Sequence, residues 1–382
     1  MKLSSSILAA LAATLAGCAP SAPSAGVPDE VVTEYAIHYP GQPNPPAPGH
    51  GVHAPGGAPH PGSTHEIAYD EASGALWISG QNHDSLARVT LGADGRPRIG
   101  YQEMPPQSGP HGIAFDAAGN RWVTLEFTGR IVAFDRAGRQ IADHDVRLDC
   151  ASCPEPINSH PHGLGVGTDG YTIWFTGKAT GTIGRIAPDG TVQTFALPTA
   201  GSTPIYIRAG ADGNMWVVEL TGNQIARVTP DGRPTEFGIP TPYSRPIAIV
   251  PGPDGNMWFT EEAGGNVGRI TPDGTIAEFP LPRAHPNRIL AGLAFDAEGN
   301  LWVQQYVDHN RPEPGGADGV FRIDRAGLAA APSALRPEHI AFYPVPTRDT
   351  VMHRIIAGPG GAMWFTELRA DRLGRIAAAP RR

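Results

Sequence analysis

Short apolar runs, some alternating with polar positions as in Ile225-Ala226-Arg227-Val228, recur along the chain and are separated by Gly, Pro, Asp and Asn. That alternation belongs to half-buried strands, and those separators to tight turns. The clearest stretch is residues 245–282, RPIAIVPGPDGNMWFTEEAGGNVGRITPDGTIAEFPLP. It predicts four strands, at 247–250, 257–261, 266–271 and 275–281, with a reversal at each Pro-Asp-Gly.

The same sentence recurs around each of the seven tryptophans, Trp77, Trp122, Trp174, Trp216, Trp258, Trp302 and Trp364. A four-stranded repeat of roughly 40–45 residues is the signature of a propeller blade. One such sheet cannot cover both its faces alone, so sheets pack face to face around an axis, with a Trp filling each gap. The predicted fold is all-β, a seven-bladed β-propeller of four-stranded blades. The seventh copy lacks a fourth strand after Leu373-Gly374-Arg375-Ile376. Residues 31–37 (VVTEYAI), however, read like the fourth strands TEFGIP (235–240) and AEFPLP (277–282). This N-terminal strand is expected to complete the last blade, closing the ring and removing an exposed edge. The propeller is then one domain, residues 31–379.

Composition narrows the class. With 48 Gly and 40 Pro among 382 residues the chain is too turn-rich for a helical bundle, and 40% hydrophobic residues suffice for packed cores. A net charge of −8 without a basic block disfavours nucleic acid as a partner. Residues 1–17 (MKLSSSILAALAATLAG) read as a signal peptide, with Lys2 ahead of a short apolar core. Leu15-Ala16-Gly17-Cys18 resembles the lipobox of bacterial lipoproteins, which implies cleavage before Cys18 and a lipid on its sulfur. Residues 18–30 are a Pro/Ser/Ala-rich tether. The expectation is an exported monomer, anchored by lipid to the bacterial cell envelope and touching membrane only through that anchor. In that compartment Cys150 and Cys153 (C-A-S-C) are read first as a local disulfide. A metal pair is the other reading, although the second C-x-x-C of a structural zinc site is missing.

The sentences P-x-x-I-x-x-G-x-D-G-x-x-W-F-T-E and N-x-I-G-R-I-T-x-x-G-x-I-x-E-F-x-x-P resemble the virginiamycin B lyase (streptogramin B lyase) family of seven-bladed propellers. The resemblance implies an activity in which a cyclic depsipeptide is linearised by elimination at its ester, without added water. It also implies a His acting as base and a Mg²⁺ held by Glu. The family's last-blade pattern is E-P-H-G-I with a metal-binding Glu four residues after Trp. Here Pro110-His111-Gly112-Ile113 and Glu126 match it in the second blade, with Gly109 in place of the first Glu. The last blade has His353, with Val351 and Leu368 at the two Glu positions, and the sixth has Ala291 where a substrate-contacting His is expected.

Strand A of each blade starts, and strand B ends, at one face of the ring. The aligned strand-A positions there are His65, His111, His162, Ile205, Ile247, Ala291 and His353. Ring closure makes blades 7, 1, 2 and 3 consecutive, so the four imidazoles form one arc and the apolar residues the other. An imidazole and a carboxylate at one channel mouth can serve as base and metal ligand. His111 is the candidate base. Glu126, His65, His162 and His353 are candidate metal ligands, and Lys178 and His160 candidate substrate contacts. Lys178 could instead pair with Glu126. The imidazoles suit Cu or Zn as well as the Mg²⁺ of the resemblance. Glu219, Glu261 and Glu367, three residues after Trp, are read as structural, bonding backbone at the rim. The long segments 41–64 (with His50, His53 and His60), 149–160 and 306–317 are expected on the imidazole face.

Two functions are in view. One is a metal-assisted C–O lyase acting on a cyclic ester-containing, small-molecule or peptide-like ligand at the channel mouth. The alternative is a non-catalytic, surface-tethered metal- or ligand-binding module. A lactonase-like hydrolase is the weakest, because no Asp/Asn-rich set exists to hold a water-activating metal.

Overall fold

Strands joined by tight Gly-containing turns fold back on their predecessors, so each repeat closes into one antiparallel sheet. The computed structural model describes residues 32–41, 62–283, 285–308 and 315–377. Among them are seven four-stranded sheets. Six are built from consecutive strands, beginning with Thr64–Asp70 in blade 1 and ending with Ile340–Pro344 in blade 6. The seventh joins Met352–Ala357, Met363–Glu367 and Arg372–Ile376 to Val32–Ala36, with Val32 opposite Ile376 and Ala36 opposite Arg372. The N-terminal strand thus clasps the ring, as the sequence predicts. The Asp371 carboxylate strengthens the seam by accepting from Ser63 N (2.7 Å) and Thr64 Oγ1 (2.8 Å) at the entry to blade 1. The signal peptide, the Cys18 anchor, the tether and His50, His53 and His60 lie outside the described residues.

The core is a series of layers between blades. Ile67 and Leu76 of blade 1 pack on Trp364 and Leu373 of blade 7, and Trp77 and Leu86 on Val123 and Val132 of blade 2. Each recurring residue has a place in these layers. The indole N–H of Trp122, Trp216, Trp258 and Trp302 donates to the aspartate of the preceding turn at 2.8–3.1 Å. The indoles of Trp174, Trp216 and Trp258 pack on Phe195, Phe237 and Phe279 of strand D. The glycine of G-R-I is obligatory for space, since a Cβ on Gly184, Gly268 or Gly374 would sit 2.0 Å from a Phe ring of strand B.

One feature of the inner strands aims side chains at the channel. In blade 2, Phe115 pairs with Arg121, and a regular ladder from there would set His111 opposite Leu125. Instead the register shifts between Pro110 and Ile113, and Pro110 faces Leu125. The other six blades carry the same one-residue bulge at the same place. Bulges bend a strand and redirect its side chains. Here the bulge amides of Gly112, Gly163, Arg354 and Glu66 donate to Thr124, Thr176, Thr366 and Ser79 of strand B at 2.7–3.0 Å. The hydroxyls of Thr124, Thr260 and Thr366 donate onward to the carbonyls of His162, Ala291 and His65 in the next blade. This collar fixes the backbone at the mouth of the channel.

Candidate functional site

Because the bulges are equivalent, the four imidazoles converge. Ring centroids lie 3.8 Å apart for His111 and His162, 5.0 Å for His65 and His111, and 5.1 Å for His65 and His353. All four are buried, His111 completely. Ligand atoms of His65, His111 and His353 lie within 4.8 Å of one another, as do those of His111, Glu126 and His162. Backbone carbonyls fix two tautomers. Nδ1–H of His111 donates to His162 O (3.3 Å), and Nδ1–H of His162 donates to Ile205 O (2.9 Å). A carbonyl only accepts, so the proton sits on Nδ1 and the Nε2 lone pair faces the cluster. Nε2 of His111 meets no hydrogen-bond partner among the described residues. Burial first, then the neighbouring imidazoles and Lys178, hold the His111 pKa well below the ordinary imidazole value. It is a neutral ring at neutral pH.

Charged pairs flank the imidazoles. Glu126, 1% exposed, is ion-paired with Lys178 and accepts from Gln81 Nε2 at 2.6 Å. On the other side Glu66 is ion-paired with Arg354, 2.7 Å from its Nε, and stands 3.4 Å from His353 Nε2. Arg354 lies 4.3 Å from the Tyr206 ring centroid, and Arg208 lies 4.1 Å from it. Tyr206 belongs to blade 4 and Arg354 to blade 7, so this stack reaches across the channel, one residue deeper along the inner strands. The cluster is a polar cup with a cationic floor.

The structure brings His65, His111, His162, His353, Glu126 and Lys178 together. His160 belongs to neither group of ligand atoms; it sits in a left-handed turn (φ 52°) ahead of strand A, within electrostatic reach of Glu126 and Lys178, with burial lowering its pKa. Cys150 and Cys153 are joined by a disulfide. Glu66, Arg354, Gln81 and Tyr206 were not singled out from sequence. Two of them, Glu66 and Arg354, directly follow candidate histidines, a position that strand alternation reads as pointing away from the channel. The glutamates three residues after Trp differ from expectation. They engage other side chains rather than backbone: Glu219 accepts from Gln224 and Glu261 from Asn266, and each of the three pairs with a strand-D glutamate, Glu236, Glu278 or Glu34. Burial pushes them up to about 7, 8 and 9 respectively. A cavity of about 180 Å³ on blades 5 and 6, lined by Arg245, Arg283 and Arg288, lies away from the imidazoles.

Residues 57–311 match the model of the virginiamycin B lyase family. The chain belongs to that family. A virginiamycin B lyase of Nocardia farcinica is 43% identical over 68 residues, a stretch covering 18% of this chain and 23% of that protein. Among solved structures, a streptogramin B lyase superposes with TM-score 0.71 at 24% identity, over 91% of this chain and 97% of the other. A catalytically inactive His-to-Ala variant of the Staphylococcus aureus virginiamycin B lyase, solved with quinupristin, gives 0.69 at 25% identity, over 92% and 100%.

The Mg²⁺ implied by the family likeness does not fit these residues. Mg²⁺ needs oxygen ligands in near-octahedral array. Here Glu126 carries the Lys178 ammonium and the Gln81 amide, and the other nearby carboxylate, Glu66, carries the Arg354 guanidinium. The second carboxylate position is Gly109, where a Cβ would meet the Phe127 ring at 2.5 Å.

Proposed function

We propose that the protein is a C–O lyase of the virginiamycin B lyase type, acting on a cyclic ester-containing, peptide-like ligand held at the imidazole-bearing mouth of the channel. His111 is the base. Its Nε2 accepts the proton α to a carbonyl, the C–H electrons form the C=C bond, and the ester C–O bond breaks with its electron pair leaving on the carboxylate. No water enters. Cations are stabilising where negative charge develops in a water-poor site, and Lys178, one-fifth exposed, is the one that faces solvent beside His111. The observation that carries the reading is the His111 imidazole itself, buried, neutral, oriented through Nδ1 and without a hydrogen-bond partner at Nε2 among the described residues. The ligand is met from outside the cell, with the chain exported and anchored through Cys18.

A second reading, a non-catalytic ligand-binding module, is favoured by the Lys178–Glu126 pair, which occupies the carboxylate that matches the family pattern. Incubation with a streptogramin-type cyclic depsipeptide decides between them. Ring opening that is lost in His111→Ala supports the lyase, and binding without ring opening supports the module.

A further inference from the structure

We propose that the imidazoles of His65, His111 and His353 form a site for a first-row transition-metal ion of the imidazole-preferring class, Zn²⁺ or Cu²⁺. Three histidine ligands with M–N bonds of about 2.0–2.1 Å are an established donor set for Zn²⁺. The three ligand atoms here lie within 4.8 Å of one another, inside one buried cup. The surroundings also match. Metal-binding imidazoles are oriented through their second nitrogen by a carbonyl or carboxylate. His111 donates from Nδ1 to the His162 carbonyl, and the Glu66 carboxylate stands 3.4 Å from His353 Nε2. The two acids nearby are each neutralised by a base, Glu126 by Lys178 and Glu66 by Arg354. The cup therefore offers imidazole nitrogen donors, which favour borderline ions over Mg²⁺.

On the lyase reading, the ion at this site is an inhibitor. An ion on Nε2 of His111 takes the lone pair that accepts the proton, so filling the site silences turnover.

Zn²⁺ titration of the full chain by calorimetry, with Co²⁺ absorption as an independent probe, tests the site without reference to activity. One tight ion per chain is expected. His65→Asn and His353→Asn should each weaken it by more than the roughly 10–100-fold that outer-sphere partners alone carry. Circular dichroism and the thermal midpoint establish that both variants are folded, and His65→Gln is the substitute should Asn unfold the blade. Wild-type affinity in these variants, Mg²⁺ binding as tight as Zn²⁺, or loss of the ion only in His162→Asn would each overturn the assignment. Tight, His65-dependent Zn²⁺ binding in a protein whose chelator-treated, metal-free form opens no depsipeptide ring upholds the metal site and removes the lyase. Inhibition by stoichiometric Zn²⁺, reversed by a chelator, upholds both.

Discussion

The two arcs of the channel mouth share a backbone and differ in chemistry. Blades 7, 1, 2 and 3 present His353, His65, His111 and His162, and blades 4, 5 and 6 present Ile205, Ile247 and Ala291. Both arcs carry the same strand-A bulge. The hydroxyl collar also spans both, since Thr260 of blade 5 plays the part of Thr124 in blade 2. The scaffold is therefore a uniform frame of seven equivalent positions, and function lies in which side chain stands at each. The arcs differ at the rim as well. Blades 4, 5 and 7 close strand B to strand D through a carboxyl pair, in which the strand-D acid also accepts from the incoming loop, as Glu34 does from Thr347 N at 2.9 Å. Blade 7 belongs to both sets. Blades 1, 2 and 3 have Gly80, Leu125 and Gly177 at the strand-B position, and their rim is given over to the cluster.

The largest effect should come from removing the central imidazole. His111→Ala is expected to lower kcat/KM for a cyclic depsipeptide by about 10²–10⁴, the usual contribution of a positioned acid–base group. Ile247→Ala on the other arc should change it little. Steady-state kinetics on the two variants make the comparison. Next is Lys178→Met, which leaves the Glu126 carboxylate buried without its cation. Breaking a buried pair on one side costs roughly 3–5 kcal/mol, and the partial exposure of Lys178 puts this case near 3 kcal/mol, read by urea denaturation. Glu126→Gln added to Lys178→Met should recover most of the loss.

Ile247→His tests whether the frame alone can host an imidazole. Without the polar partners of the other arc it should destabilise by about 1–3 kcal/mol, the cost of an unsatisfied buried polar group, and it should add no metal site. The smallest effect is on pH dependence, and its sign differs between regions. Glu219, Glu261 and Glu367 hold their protons up to about 7, 8 and 9, against 4.5 unperturbed. The folded state thus binds more protons than the unfolded one between those limits, and stability falls as pH rises through that window. For His111 the folded pKa lies below 6.5, so the unfolded state binds more protons and stability falls as pH drops below that value. Glu367→Gln should flatten the alkaline limb and leave the acid limb in place, as read from thermal midpoints across pH.

The ring, its strands and its N-terminal clasp were legible because the fold is written seven times. Each residue of the repeat answers to one packing need: Trp for the gap, Gly for the Phe ring beneath it, and Asp for the indole N–H. The imidazole arc was legible for the same reason, since equivalent positions in equivalent blades must share a level. Glu66 and Arg354 were not. Successive residues on a strand point to opposite faces, so a residue following a channel-facing histidine reads as pointing away. Only the bulge brings both into the cup, and its one-residue register shift has no signature in the alternation of apolar and polar positions. The carboxyl pairs left a trace, the glutamates of W-F-T-E and T-E-F recurring together. Pairing two acids, however, contradicts charge logic until burial has shifted one of them to its protonated form.

The most direct test of the account is the mass of the product released from a streptogramin-type cyclic depsipeptide by the wild-type protein. Elimination through His111 predicts a ring-opened product of unchanged mass bearing a new C=C bond. A product heavier by one water, or an intact ring after prolonged incubation, would contradict it.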